Sequence, residues 1–393
     1  MKSNAKILFD EPIFPQCFVS IVVPMRDEAE HLQRTLESFS LQVDLKNKPL
    51  DASAFEILIL ANNCSDDSVA LARNWRRQNP EINVRVAEIN LPKKNSNVGF
   101  VRRLLLDEAY RRLRLNRFGG GIIMTTDGDT RVAPDWIIQN VGEIEAGADA
   151  VGGRILLEDS ELEKMNDKAR YFHLLDEEYQ LLAAEYECFS DALPHDIFPR
   201  HHQHFNGSFA VTTDAFERAG GIPQVNFLED VAFYHALLRV DAKVRHSPQV
   251  KVFTSARTAG RSEIGLSFQI SRWETMGKSG ENYLVESADA IERRTLARKS
   301  LREFWRRENS NESPNADEVF SLARELKIPA DLIFSELRKK QFCGALLENI
   351  FRAYDESAAR SGQNNLIPIE RAVFDLRKLL NNLRQNVAAT TAV

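Results

Sequence analysis

Cysteine is scarce in this 393-residue sequence, and its four cysteines lie far apart without a CxxC pair. We therefore expect four unpaired thiols, as in a reducing compartment. Positive charge is not in excess: the net charge of −6 argues against a nucleic-acid partner. No apolar run approaches the roughly 20 residues of a transmembrane helix, and no signal-peptide pattern follows Met1. We predict a cytoplasmic protein without a transmembrane segment, and peripheral contact with the inner membrane face stays open.

What the sequence does contain is an alternation of apolar runs and helical periods. Strand-like runs are predicted at residues 18–24, 55–61, 84–89, 121–126, 151–157, 205–212 and 244–255. Helical spacing occupies most of the intervals, for example residues 27–40 and 98–113. Strands that alternate with helices predict an α/β fold with a mixed, mainly parallel sheet flanked by helices.

Three polar clusters follow the carboxyl ends of predicted strands. They are Arg26–Glu28, Asn62–Asp67 and Asp127–Asp129. Ligands of open α/β sheets bind outside the carboxyl ends of the strands. Because all three clusters belong to the same predicted edge, we expect them to surround one ligand site.

Asp127-Gly128-Asp129 offers two carboxylates at a tight turn. Carboxylate oxygens are suitable ligands for Mg²⁺ or Mn²⁺, and a bound ion would neutralise a diphosphate as it leaves. Alone, the motif is also compatible with a solvated Asp-Gly turn. Its position after an apolar strand, beside the other clusters, favours the metal site.

The segment Glu229-Asp230 opens a predicted helix over residues 230–240. A carboxylate there, inside a cleft, could accept a proton from an acceptor hydroxyl. Asp is also a favoured residue at the start of a helix, so on spacing alone a capping role explains Asp230 better and no catalytic role is needed.

Taken together, these segments resemble family 2 glycosyltransferases with the GT-A fold, over roughly residues 18 to 260. The matching motifs are Pro24-Met25-Arg26-Asp27-Glu28, Asn62-Asn63-Cys64-Ser65-Asp66-Asp67, Asp127-Gly128-Asp129, Asn206-Gly207-Ser208-Phe209-Ala210, Gly220-Gly221 and Glu229-Asp230. The resemblance implies a nucleotide-diphosphate sugar donor, a divalent metal and inversion of the anomeric centre in a single displacement.

The resemblance also implies roles for individual residues. Asp230 would be the catalytic base, and Asp127 and Asp129 would bind the metal, Mn²⁺ or Mg²⁺. The donor-binding residues would include Pro24, Arg26, Glu28, Asn62, Asn63 and Asp127. The acceptor, a small molecule or a lipid-linked one, would contact Asn206, Gly207 and Glu229. Asn62 and Asn63 stand where relatives more often have aspartates, so the nucleotide is left undetermined.

Further side chains are candidates for binding the donor phosphates, the metal or the acceptor. Arg102, Arg257 and Arg261 suit the donor phosphates, because guanidinium groups bind phosphate oxygens bidentately, although solvated surface charge is the alternative. Thr254, Ser255 and, less well placed, His246 are candidates for a third metal ligand, and an exposed strand edge is the favoured explanation for His246. The segment Gln269-Ile270-Ser271-Arg272-Trp273 has a form found in polymer-forming relatives, which suggests a diphosphate or acceptor site and makes Trp273 a candidate acceptor residue.

The sequence also suggests a division of the chain. We predict an N-terminal tail at 1–16, the GT-A domain at 17–265, a helical region at 266–387 and a disordered tail at 388–393. The helical region is amphipathic, which is compatible with a homodimer. Its predicted helices are 283–308, 315–327, 331–356 and 369–386.

Two other functions are compatible with such a chain. One is a non-catalytic protein that binds a nucleotide sugar, but retention of Asp127, Asp129 and Asp230 argues against it. The other is a sugar-phosphate nucleotidyltransferase, which would need a glycine-rich phosphate loop near the N-terminus. Residues 20–28 contain no glycine, so we favour the glycosyltransferase.

Overall fold

A computed structural model describes residues 7–225, 227–255, 265–339, 341–360 and 365–391. The chain forms two compact units. The first comprises residues 1–165, 203–237 and 242–269, and the second comprises residues 166–202, 238–241 and 270–393. The sequence places the start of the helical region at 266, and the second unit also takes in residues 166–202.

Strands and helices follow one another along the chain in the alternation that the sequence predicts. The strands are β1 Val19–Met25, β2 Phe55–Asn62, β3 Val84–Ile89, β4 Ile122–Thr126, β5 Arg131–Val132, β6 Ala150–Leu157, β7 Ser208–Thr212, β8 Val244–Thr254, β9 Leu284–Glu286 and β10 Leu366–Pro368. The helices are α1 Leu32–Ser40, α2 Ser68–Gln78, α3 Val98–Leu115, α4 Trp136–Glu145, α5 Asp159–Lys164, α6 Asp167–Ser190, α7 Thr213–Arg218, α8 Glu229–Arg239, α9 Leu266–Ser279, α10 Ala288–Asn309, α11 Ala316–Glu325, α12 Ala330–Arg338, α13 Cys343–Arg360 and α14 Ile369–Thr391.

The first unit is built on one mixed sheet with the strand order β3-β2-β1-β4-β7-β6-β8-β5. Strands β1 to β4 pair in parallel, and β7 runs antiparallel to both β4 and β6. Every residue of β1, β2 and β4 is buried, as expected for strands covered on both faces. The predicted α/β fold with a mixed, mainly parallel sheet and a C-terminal helical region is confirmed.

The register of the sheet brings the polar segments to one edge. Met25 is paired with Ala61, and Val22 with Thr125, so β1, β2 and β4 end near the same level. Ser208, the first residue of β7, is paired with Thr126, the last residue of β4. The segment before β7 therefore meets the turn after β4.

A buried ion network anchors the N-terminal segment to the first unit. Glu56 on β2 is fully buried and accepts hydrogen bonds from Arg112 at 2.7 Å and Arg85 at 3.3 Å. Arg85 also pairs with Glu11 and donates to the carbonyl oxygen of Pro12 at 2.6 Å. Arg112 donates to the carbonyl oxygen of Glu11 at 2.8 Å. Residues 11 and 12, inside the segment predicted as a tail, thus supply partners to two buried arginines.

The second unit is mainly helical. A core of apolar residues is shared by α10, α11, α12 and α13. The region predicted as helical from residue 266 also contains two short strands, because β9 and β10 pair antiparallel. Each of these two strands has three residues, which are too few for an alternating pattern to be recognised in the sequence. Helix α14 extends to Thr391, past residue 388 where a disordered tail is predicted. Within the described residues, no helix is long and apolar enough to cross a bilayer.

Candidate active site

The turn Asp127-Gly128-Asp129 directly follows β4 and is held from both sides. The Thr35 hydroxyl of α1 donates to the carbonyl oxygen of Gly128 at 3.0 Å. A Cβ atom at position 128 would lie 3.1 Å from Glu28 Cγ and 3.4 Å from the Pro24 carbonyl oxygen. Glycine therefore allows this turn to pack closely against the segment after β1. Two predicted donor residues, Pro24 and Glu28, lie beside the two carboxylates.

Arg102 of α3 connects the turn after β4 to the start of α8. Its Nη1 donates to Glu229 Oε1 at 2.7 Å and its Nη2 pairs with Asp127. The Arg102 side chain is 5% exposed. Burial alone would lower the Arg102 pKa, but the charges of Asp127 and Glu229 raise it above its ordinary value. The predicted donor residue Arg102 is thus already engaged by two carboxylates.

Asp127 lies among charged residues, and part of its side chain is accessible to solvent. Burial raises the pKa of its carboxyl, Arg102 opposes this, and the neighbouring charges of Asp129 and Glu229 add to it. Nevertheless, 41% of the side-chain surface is accessible. A ligand can therefore reach Asp127 from its open face.

Asp230 lies in the first turn of α8, next to Glu229. Burial raises the pKa of Asp230, and repulsion from Glu229 adds to the rise. The Val231 N–H donates to Asp230 Oδ1 at 2.8 Å, and this hydrogen bond opposes the rise of the Asp230 pKa. A carboxylate with a raised pKa is a stronger base, which suits proton removal from a hydroxyl.

The loop after β1 is joined to the loop after β2 by Asp27. Asp27 has a φ of 50° and accepts hydrogen bonds from the Ser65 N–H at 2.6 Å and from the Asp66 N–H at 3.3 Å. Burial works against these bonds, yet they hold the Asp27 pKa below its ordinary value. The Ala29 N–H donates in return to Asp66 Oδ2 at 3.0 Å. Asp27 and Asp66 therefore fix the shape of the predicted donor edge.

The two asparagines after β2 have different environments. Asn63 has a φ of 50° and exchanges hydrogen bonds with the backbone of Leu91 at 3.1 and 3.0 Å, which is a structural role. Asn62 is buried and donates to the Ser96 carbonyl oxygen at 3.2 Å. Its Oδ1 has no partner among the described residues. Arg26 donates to the same Ser96 carbonyl oxygen at 3.3 Å.

Asp127 and Asp129 fit a divalent cation by the chemistry of the donors around them. Thr130 Oγ1 lies 3.3 Å from Asp129 Oδ1, and Ser255 Oγ lies 3.4 Å from Asp129 Oδ2. Such oxygen donors are preferred by Mg²⁺ and Mn²⁺. Asp129 also borders a small cleft lined in part by Thr35, Thr254 and Ser255.

A second group of potential metal ligands, Asp27, Cys64 and Asp66, occurs in the loops after β1 and β2. Its carboxylates already accept several backbone N–H groups, and burial raises the pKa of the Cys64 thiol. A neutral thiol and engaged carboxylates make this group a poor cation site.

The remaining predicted residues fall in three places. Asn206 and Gly207 lie at the site: a Cβ atom at position 207 would be 3.1 Å from Asp127 Oδ2. Trp273 is buried in the second unit against the rings of His173 and Tyr283. Its acceptor role stays a prediction. Arg257 and Arg261 lie outside the described residues.

Sequence patterns did not single out the ring of Tyr234 or those of its neighbours as a group. Tyr234 stacks on His204 and lies near His246, which is buried and so does not form an exposed strand edge. Tyr234 follows Asp230 by four residues on α8. Residues at that spacing lie on one face of a helix. The spacing is therefore the sequence signal that could have placed Tyr234 near Asp230.

Part of this chain is similar to a known protein family. Residues 20–193 match the model of glycosyl transferase family 2. The predicted resemblance to family 2 glycosyltransferases is therefore confirmed over this segment of the chain.

Individual relatives are distant. Glycosyltransferase AglE of Haloferax volcanii is 24% identical over 139 residues, which are 35% of this chain and 39% of AglE. Among solved structures, TarS of S. aureus in complex with UDP has 13% identity and a TM-score of 0.42, covering 88% of this chain and 92% of that one. Mannosyltransferase PcManGT from Pyrobaculum calidifontis, in complex with GDP-Man and Mn²⁺, has 14% identity and a TM-score of 0.43, covering 85% and 86%.

Proposed function

We propose that this protein transfers a sugar from a nucleotide-diphosphate donor to an acceptor hydroxyl with inversion, using a divalent metal. The observation that carries the proposal is the meeting of Asp127 and Asp230 in one site. Both are linked through Arg102, which pairs with Asp127 and with Glu229, the neighbour of Asp230. The match of residues 20–193 to glycosyl transferase family 2 supports this class of reaction.

Each carboxylate has a distinct part in this reaction. Asp127 and Asp129 would hold the metal, which when bound neutralises the negative charge of the diphosphate leaving group. Asp230 takes the proton from the acceptor hydroxyl as its oxygen forms a bond to the anomeric carbon. The bond from that carbon to the diphosphate oxygen breaks, and the electron pair leaves with the nucleotide diphosphate. The anomeric centre is inverted because attack and departure occur on opposite faces.

Arg26, Glu28 and Asn62 form the proposed nucleotide side of the site. Asn62 supports this assignment, because a buried amide oxygen that has no partner in the described part of the chain can accept a hydrogen bond from a ligand. Asn63 contributes indirectly, since it holds the backbone of Leu91. The fixed Asp27–Ser65 contact keeps this edge in one conformation.

The proposal is tested by melting temperatures with a panel of UDP and GDP sugars and Mg²⁺ or Mn²⁺. We expect one donor to stabilise the protein by about 2.7 kcal/mol at a concentration 100-fold above its Kd. Asp129→Asn should weaken this metal-dependent binding at least about tenfold, since a metal ligand is lost. Asp214→Asn is the matched control, because Asp214 pairs with Arg114 near the opposite end of β4.

Release of nucleotide diphosphate from the stabilising donor is measured in parallel. The proposal is contradicted if no nucleotide sugar shifts the melting temperature with either metal. Binding without release or transfer would favour the non-catalytic alternative. Release of pyrophosphate from a nucleoside triphosphate and a sugar phosphate would favour a nucleotidyltransferase.

A further inference from the structure

An aromatic cluster lies beside the proposed base. We define it as His204, Phe205, Tyr234 and His246, all within the first unit. The rings of His204 and Tyr234 stack with centroids 3.9 Å apart and an interplanar angle of 14°. Phe205 lies 5.1 Å from His204, and His246 stands edge-on to Tyr234 at 5.8 Å. Phe205 is the outer member, with 37% of its surface exposed.

Two residues of this cluster lie close in the chain to residues of the proposed site. Tyr234 lies one helical turn after Asp230 on α8, on the same face of that helix. Phe205 precedes Asn206-Gly207, the segment that packs against Asp127. The exposed ring of Phe205 is therefore held next to the segment that contacts Asp127.

Asn206 supplies an independent observation. Its side chain is 1% exposed, and neither its amide nitrogen nor its amide oxygen has a partner among the described residues. Buried amides are nearly always hydrogen-bonded, so an unpaired one at a site indicates a place for a ligand group. A hydroxyl can both donate to and accept from an amide.

We propose that the aromatic cluster and Asn206 form an acceptor subsite for a pyranose sugar, an inference that rests on the proposed function. A pyranose ring has an apolar C–H face that can lie on the Phe205 ring and hydroxyl edges that can bond the Asn206 amide. An alkyl chain would use the aromatic face but would leave the amide unpaired. The mixed character of the subsite therefore favours a carbohydrate acceptor over the chain of a lipid.

The subsite is tested by saturation-transfer NMR without any nucleotide, so that donor binding does not enter the result. The probes are the methyl glycosides of glucose, mannose, galactose and N-acetylglucosamine, with decyl phosphate as the lipid probe. We expect at least one methyl glycoside to bind through the protons of one ring face. Phe205→Leu should raise its Kd about three- to tenfold, as expected for loss of one aromatic contact.

Three variants complete the design. Phe205→Trp keeps an aromatic face and should bind like wild type, whereas Asn206→Ala should weaken binding without lowering the melting temperature. Phe118→Leu is the control, because Phe118 is an exposed phenylalanine just before β4, away from its carboxyl end. The inference is overturned if no methyl glycoside binds, if Phe205→Leu matches wild type, or if only decyl phosphate binds in a Phe205-dependent way. If nucleotide sugars still stabilise the protein in that case, the acceptor subsite alone is wrong.

Discussion

Asp230→Asn should reduce sugar transfer by about 100- to 10,000-fold, the usual contribution of a general base. The amide has nearly the same shape as the carboxylate but cannot take the acceptor proton. Donor binding should be unchanged, because Asp127 and Asp129 keep their metal-binding oxygens. The measurement is acceptor-dependent release of nucleotide diphosphate, together with the donor-induced rise in melting temperature.

The control for this substitution is Asp289→Asn. Asp289 also lies in the first turn of a helix, so loss of a charge near a helix N-terminus is matched. Full transfer by the Asp230→Asn variant would remove Asp230 from the role of base. Loss of donor binding in this variant would instead place Asp230 on the donor side.

The pH dependence of transfer follows from the same residue. Asp230 must be ionised to act as a base, and burial next to Glu229 raises its pKa above the ordinary value of 3.8. Transfer should therefore fall as the pH decreases, with the acid inflection above 3.8. The inflection should disappear from the residual activity of Asp230→Asn, which a pH series at saturating donor would measure.

Arg102→Met should destabilise the protein by about 3 kcal/mol, because it leaves the carboxylates of Asp127 and Glu229 without their shared cation. We place the effect at the low end of the range for buried pairs because water reaches Asp127. Transfer should fall as well, since Glu229 is the neighbour of Asp230. Urea unfolding with an unchanged slope would measure the loss of stability.

Two comparisons test the reason for this loss. Arg103→Met changes the next residue of α3, whose Nη1 donates to Gln224 at 3.3 Å, and should alter stability by less than about 0.5 kcal/mol. Adding Glu229→Gln to Arg102→Met should restore part of the stability, because one unpaired carboxylate is removed. If Arg102→Met is as stable as Arg103→Met, the link between Asp127 and Glu229 contributes nothing.

The sequence predicted the sheet and its ligand edge well, because both depend on local patterns. Buried β-branched runs identify β1, β2 and β4, and polar residues immediately after them mark the edge. The turn at Gly128 and the start of α8 at Glu229 follow from short-range chemistry. Family resemblance then ordered these segments around one site.

Long-range partners were less accessible to sequence reasoning. Arg102 and Glu229 are 127 positions apart, and only the folded sheet brings them together. Asn63 has an amide side chain of the kind that binds ligands. Its positive φ and its hydrogen bonds to Leu91 are seen only in the folded structure. The short strands β9 and β10 depend on each other rather than on a local period.

The anchored N-terminal segment has a practical consequence for shortened forms of the protein. Glu11 and Pro12 carry partners for Arg85 and Arg112, two cations that share the single buried carboxylate of Glu56. A version beginning at residue 13 would leave two guanidinium groups competing for one counter-ion. Recombinant forms should therefore retain residues 11 and 12.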